Sequence, residues 1–184
     1  PPYGIGQDGH FQEKKCGWKD YEFKNWDNEI PSNEYFNELF RVSKKQIIWG
    51  GNYFSVLWKK SNSFLLWNKM QRNFTLADGE LAWYSETNKA MRIFDFSRGG
   101  ALANNNKNGG RFHPTQKPVK LYQWLLMNYA KEGDKILDTH FGSGSIAIAC
   151  HNLKFELTAC ELDKEYFDSA IKRIKQQTSQ QSLF

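Results

Sequence analysis

The stretch Lys135–Cys150, KILDTHFGSGSIAIAC, restricts the fold of this 184-residue chain more than any other. Ile136-Leu137 is a short apolar run, Phe141-Gly142-Ser143-Gly144 is a glycine turn, and Ile146–Cys150 opens an apolar helix. Strand, tight turn and helix are the first half of a βαβ unit, so the expected class is α/β. Glycines at 142 and 144 allow the backbone to pass close to a ligand where a Cβ would collide. Asp138 falls at the carboxyl end of the strand, where open α/β sheets bind ligands. A second strand, Phe155–Cys160, leads into Glu161-Leu162-Asp163. Glu161 thus stands about 20 residues past the glycines, the separation at which an acidic side chain meets a ribose hydroxyl pair. A lone Gly-x-Gly is more often a packing turn, so the acidic positions carry the nucleoside reading. Ala147 occupies the place of a third glycine, which favours a nucleoside without pyrophosphate over a dinucleotide.

The length suits one domain, 1–184, with a sizeable core, and 40% hydrophobic residues speak for a folded chain. No apolar run reaches the length of a membrane span and no signal-peptide pattern opens the chain, so no membrane partner is expected. Cys16, Cys150 and Cys160 make no C-x-x-C pair, and their odd number gives no disulfide framework; a reducing cytoplasm follows. His10, His113, His140 and His151 lack metal-site spacing, and no metal is expected. Charge is unevenly spread. Residues 131–184 hold seven Lys/Arg against eight Asp/Glu, whereas residues 1–130 hold eighteen against twelve. The basic excess outside the glycine-turn unit suits a polyanion, and equally suits mere solubility.

Along the chain, Pro1-Pro2 fix φ and remove two backbone donors, leaving carbonyls free to accept hydrogen bonds from a ligand; Tyr3 then offers a rigidly held flat face. In residues 7–31, Lys14, Lys15, Lys19 and Lys24 interleave with Phe11, Trp18, Tyr21, Phe23 and Trp26, the composition of a surface for extruded bases or of a flap packing on the body. Ser32 caps an expected helix to about Val42, with Tyr35, Phe36, Leu39 and Phe40 on one face. Gln46–Trp49 and Phe64–Asn68 read as strands. Leu81–Tyr84 and Arg92–Phe96, flanking a polar turn, read as a pair giving an antiparallel edge, and Trp58, Trp67 and Trp83 as packing residues. Residues 97–112 carry four glycines, four asparagines, Arg98, Lys107 and Arg111, and read as a cationic loop; arginine pairs guanine edges and asparagine adenine edges. Pro118 opens a helix ended by Gly133, which puts Thr115, Gln116 and Lys117 at a helix amino end, where backbone donors face an anion. A last helix, Lys164–Gln176, is expected to pack Phe167, Ala170, Ile171 and Ile174, and 178–184 reads as a tail.

Five segments resemble those of one family. Pro1-Pro2-Tyr3 is similar to the end of the D-P-P-Y motif of amino-group DNA methyltransferases, Lys135–Cys150 to their S-adenosylmethionine motif, and His113–Pro118 to their H-P-T-Q-K-P motif. Gln46–Phe54 and Phe64–Met70 resemble strands that the family, phage members especially, places between. The order, catalytic motif first, resembles the permuted β group. The resemblance implies a Rossmann-like S-adenosylmethionine-dependent methyltransferase sheet with circularly permuted motifs, mostly parallel with an antiparallel edge. It implies Pro1, Pro2 and Tyr3 as catalytic residues, the Pro1 carbonyl accepting from the base amine and Tyr3 stacking on the base. Thr115, Gln116, Lys117, Asp138, Phe141, Gly142, Ser143, Gly144 and Glu161 would hold S-adenosylmethionine. Lys14, Lys15, Lys19, Arg98, Lys107 and Arg111 would touch double-stranded DNA, with 97–112 as a short target-recognition loop; so short a loop suits short sites or a second subunit, a homodimer. The acidic residue of D-P-P-Y would precede Pro1, so the resemblance implies a chain cut at its amino end. With it goes the distinction between adenine N6, the expected target, and cytosine N4. A nucleotide-dependent oxidoreductase and a non-catalytic DNA-binding remnant are the competing readings.

Overall fold

The computed structural model describes residues 1–6, 24–73, 76–107 and 110–179, which group into two compact units, Pro1–Ser97 and Arg98–Phe184. In the first, α1 (Asn33–Val42) begins where the Ser32 hydroxyl accepts the Tyr35 N–H, with Glu34 complementing the amino-end dipole. Its Phe36 is buried with Ile48, Phe54, Leu57 and Trp83, and Tyr35, Leu39 and Phe40 pack against them. The i, i+1, i+4, i+5 spacing therefore faces the core as expected.

Four strands form the sheet of this unit: β1 (Ile47–Trp49), β2 (Ser63–Asn68), β3 (Gly79–Tyr84) and β4 (Arg92–Asp95), in the order β1-β3-β2-β4. A short helix, α2 (Ser55–Trp58), lies between the first two. The β3–β4 pairing expected from sequence does not occur. β3 runs antiparallel between β1 and β2, and β4 joins β2 in parallel. The polar residues between β3 and β4 explain the change. Glu86 O accepts the Ser61 hydroxyl at 3.1 Å, Asn88 N–H donates to Asn62 Oδ1 at 2.9 Å, and Lys89 N–H donates to Ser63 Oγ at 2.9 Å. These bonds carry the chain across the start of β2 to its far side rather than back along β3. The reversed strand is thus internal, and β1, β2 and β4 run one way. Trp67 and Trp83 are buried as expected, but Trp58 is 52% exposed; its indole N–H is spent on the Gly51 carbonyl at 2.7 Å.

The second unit starts with α3 (Arg98–Lys107), where a loop was expected. Ala101, Leu102 and Ala103 are good helix formers amid the asparagines, and Ala101 is buried. Next comes α4 (Val119–Tyr129), capped at its amino end by Pro118. It stops at Tyr129, short of Gly133, because Ala130 is extended and a turn follows: Lys131 N–H donates to Asp134 Oδ2 at 2.8 Å and Asp134 N–H to Lys131 O at 3.0 Å. Gly133, at φ +84°, serves that turn. Then β5 (Lys135–Asp138), α5 (Ser145–Leu153) and β6 (Glu156–Ala159) form the expected βαβ unit, β5 and β6 pairing in parallel. Val119 and Leu126 pack with Ile148, Ala149 and Cys150 as its core. The last helix, α6 (Lys164–Thr178), buries Tyr166, Ala170 and Arg173. Ala170 is buried and Ile174 packs against the core as expected, but Phe167 is 40% exposed and Tyr166 takes its place inside. The Asp163 carboxylate accepts both the Glu165 and Tyr166 N–H groups and so fixes where the helix starts.

Candidate functional site

The glycine turn leaves β5 at Asp138 and enters α5 at Ser145. Gly142 (φ +52°) and Gly144 (φ +67°) adopt left-handed backbone, and Gly144 caps α5. Glu161, just past the end of β6, braces the turn with one oxygen and its own segment with the other: Oε2 accepts the Gly142 N–H at 2.7 Å and Oε1 the Asp163 N–H at 3.0 Å. Asp138 Oδ1 accepts the His140 N–H at 2.9 Å. Desolvation raises the Asp138 carboxyl above its ordinary range against the pull of that N–H, and the Glu161 charge adds to the rise. Leu162, between Glu161 and Asp163, is fully exposed.

The 113–117 segment stands under the turn. His113 is buried, and a Cβ on Gly142 would lie 3.4 Å from its Nε2. Its Nδ1 accepts the Thr115 N–H at 3.3 Å, and its ring meets Tyr166 at 4.3 Å. Burial lowers its pKa to about 3, so the ring is neutral. Thr115 is exposed, whereas Gln116 and Lys117 are buried. The Gln116 amide is engaged locally, accepting the Phe112 N–H at 3.2 Å and donating to Gly110 O at 2.7 Å. Lys117 offers its carbonyl to the Ser145 hydroxyl at 2.8 Å. The cofactor residues expected from sequence are therefore gathered around one turn, several of them as internal braces.

The Pro1-Pro2-Tyr3 loop is pinned by a residue that sequence reasoning missed. Asp27 is 1% exposed, and its carboxylate accepts the N–H groups of Tyr3 and Gly4 while its carbonyl accepts that of Gly6. Tyr3 stacks on Tyr53 with ring centroids 5.0 Å apart and planes 15° off parallel, and it tilts against Phe54. The ring fits because residue 50 is glycine: a Cβ there would lie 2.2 Å from Tyr3 Cε1. No local pattern flags Asp27, which sits amid lysines and aromatics. His113 was visible only as a motif letter, and Arg173 only as one cation in K-R-I-K.

Of the expected DNA contacts, Lys14, Lys15 and Lys19 lie outside the described residues. Arg98 begins α3, and Lys107, which is exposed, ends it. The Arg111 guanidinium donates to the Pro114 carbonyl, tying the chain ahead of α4. Among the described residues no group of three or more His, Cys, Asp or Glu is placed to hold a metal, and no helix is long and apolar enough to cross a membrane.

The profile of one family of DNA methylases, the N6/N4 amino-group type, matches residues 53–172. The chain belongs to this DNA methylase family. Among curated relatives, this methylase chain is similar to the type II methyltransferase M.HpaI of Haemophilus parainfluenzae, 26% identical over 215 aligned positions that cover 95% of the chain and 66% of the relative. It is 30% identical over 121 positions to M2.DpnII of Streptococcus pneumoniae, covering 66% of the chain and 41% of that protein. The chain thus spans less than two thirds of these relatives. In fold, the methylase chain resembles the crystal structure of an M1.HpyAVI–SAM complex, with TM-score 0.58, 23% identity, and 80% and 84% of the two chains covered. It also resembles TTHA0409, a putative DNA modification methylase from Thermus thermophilus complexed with S-adenosyl-L-methionine, at TM-score 0.52, 16% identity, and 80% and 79% coverage.

Proposed function

We propose that this chain supplies the cofactor turn and base-facing loop of a DNA methyltransferase that methylates an exocyclic base amine, with adenine N6 as the target. The reading is carried by the Glu161–Gly142 brace, which joins an acidic strand end to a left-handed glycine turn beside the exposed Leu162 and the half-buried Asp138. A nucleoside fits such a place: a carboxylate for ribose hydroxyls, an apolar side chain for a ring, and backbone close by. Asp138 would hold an ammonium, Glu161 the ribose, and Phe141, Gly142, Ser143 and Gly144 would line the pocket. Bound there, S-adenosylmethionine would supply an electrophilic methyl carbon whose bond to sulfur opens as the amine nitrogen takes it.

The chain's own part is positioning. An exocyclic amine shares its lone pair with the ring and is a poor nucleophile. The Pro1 carbonyl would accept a hydrogen bond from the amine and so leave density on nitrogen. Tyr3, its backbone pinned by Asp27, would stack on a base swung out of double-stranded DNA. Arg98 and Lys107 in α3, with Lys14, Lys15, Lys19 and Arg111, are the proposed DNA contacts, and a second copy of the chain would extend so small a recognition surface.

Calorimetric titration with S-adenosylmethionine and with NAD tests the reading. Binding of the first and not the second is expected. Glu161→Gln should weaken it by about tenfold or more, since the amide offers one oxygen to two N–H groups. Tyr3→Ala should spare cofactor affinity and abolish methylation, with product analysis separating N6-methyladenine from N4-methylcytosine. Preference for NAD, or equal effects of the two variants on cofactor affinity, would overturn the assignment.

A further inference from the structure

Arg173 is 2% exposed, though its sequence neighbours Lys172 and Lys175 face solvent. Its Nη1 donates to the Ser143 carbonyl at 2.8 Å and to Ser145 Oγ at 2.9 Å. The Ser145 hydroxyl has one proton, and it goes to the Lys117 carbonyl at 2.8 Å. The Ser143 hydroxyl, 3.1 Å from Ser145 Oγ, must therefore be the donor of that pair. Ser145 Oγ then accepts twice and donates once, which settles the direction of these four bonds. One guanidinium on α6 ties together the glycine turn, the first residue of α5 and the residue before the Pro118 cap.

Packing alone does not call for an arginine there. Burial lowers its pKa to about 10, which still leaves it charged at neutral pH. An apolar side chain of similar volume would avoid that desolvation. The surroundings instead suggest a need for register. A Cβ on Gly144 would meet Ile174 Cδ1 at 3.0 Å and Ala170 Cβ at 3.3 Å, so α6 already forms the backing of the turn at this point. Apolar contacts between a helix and a turn are non-directional and permit sliding, whereas a charged donor to a named carbonyl does not.

We propose that Arg173 is the positioning residue of the cofactor turn, holding Ser143, Ser145 and Lys117 in the one arrangement that binds the methyl donor. The inference rests on the reading of this turn as the S-adenosylmethionine site. It assigns Arg173 no contact with the donor itself; the guanidinium acts through the Ser143 carbonyl and the Ser145 hydroxyl.

Arg173→Met keeps the apolar stem and removes the donors. Hydrogen exchange on the full chain without ligand should then quicken at the amides of 142–145, while β5 and β6 amides keep their protection. S-adenosylmethionine affinity should fall by about tenfold or more, the loss expected for hydrogen bonds to a charged group. Ser145→Ala should give a smaller loss, and the double variant no more than Arg173→Met alone. Arg173→Lys, which replaces the guanidinium by a compact ammonium on a shorter stem, gives the same comparison should the methionine variant fail to fold. Unchanged exchange at 142–145 with unchanged affinity would overturn the proposal, as would a uniform rise in exchange across the unit, the mark of a merely structural role. If the unaltered chain fails to bind S-adenosylmethionine while Arg173→Met still loosens 142–145, the methyl-donor reading falls and the clamp stands.

Discussion

Gly142 and Gly144 occupy the same turn, yet alanine should cost very different amounts at the two positions. Both have positive φ, +52° and +67°, and an L-residue in left-handed backbone costs about 1 kcal/mol. At Gly142 little more is added, because the nearest atom to a new Cβ is His113 Nε2 at 3.4 Å, an ordinary contact. At Gly144 the new Cβ would meet Ile174 Cδ1 at 3.0 Å, Phe141 Cζ at 3.1 Å and Ala170 Cβ at 3.3 Å. The isoleucine tip can rotate away and the phenylalanine ring can tilt. Ala170 Cβ is fixed by the α6 backbone and cannot. Overpacking of this kind adds about 1–3 kcal/mol. Gly144→Ala is therefore expected to lose about 2–4 kcal/mol and Gly142→Ala about 1 kcal/mol. With a urea slope of about 2 kcal/mol per molar, the two midpoints should differ by about 0.5–1.5 M. Urea unfolding followed by far-UV circular dichroism measures this directly. Equal midpoints, or a lower midpoint for Gly142→Ala, would refute the claim that α6 presses on the turn at Gly144.

Two other perturbations probe the remaining supports. Gly50→Ala would put a Cβ 2.2 Å from Tyr3 Cε1, so the ring must leave its stack on Tyr53; methylation should be lost with the fold retained, and adding Tyr3→Ala should cost nothing further in a methyl-transfer assay. The buried His113 binds its proton only near pH 3 when folded, against about 6.5 when unfolded. The unfolded chain thus holds more protons between those values, and stability is lost as pH falls through that window, by about 1.4 kcal/mol per pH unit. His113→Gln should flatten this limb in denaturant midpoints measured from pH 7 to pH 4, and an unchanged slope would place the acid sensitivity elsewhere.

The local pattern of the chain is enough to establish the βαβ unit of Lys135–Ala159, the face of α1 and the glycine turn. Apolar spacing, a capping serine and two glycines act between near neighbours, where sequence distance and spatial distance agree. The motifs likewise single out Asp138, Glu161 and Tyr3 as candidates. The pairing of β3 and β4 is not legible because a polar connection between two strands looks like a hairpin turn, and only its bonds to Ser61, Asn62 and Ser63 show that it passes over β2. Residues 98–107 look like a loop because asparagine and glycine weigh against a helix that the burial of Ala101 supports. What holds the two candidate groups in shape is decided by tertiary structure alone. Asp27 reaches Tyr3 across 24 residues and Arg173 reaches Ser143 across 30. No periodicity marks either residue, because a buried charge is chosen by the carbonyls and amides it meets after folding and not by its neighbours along the chain.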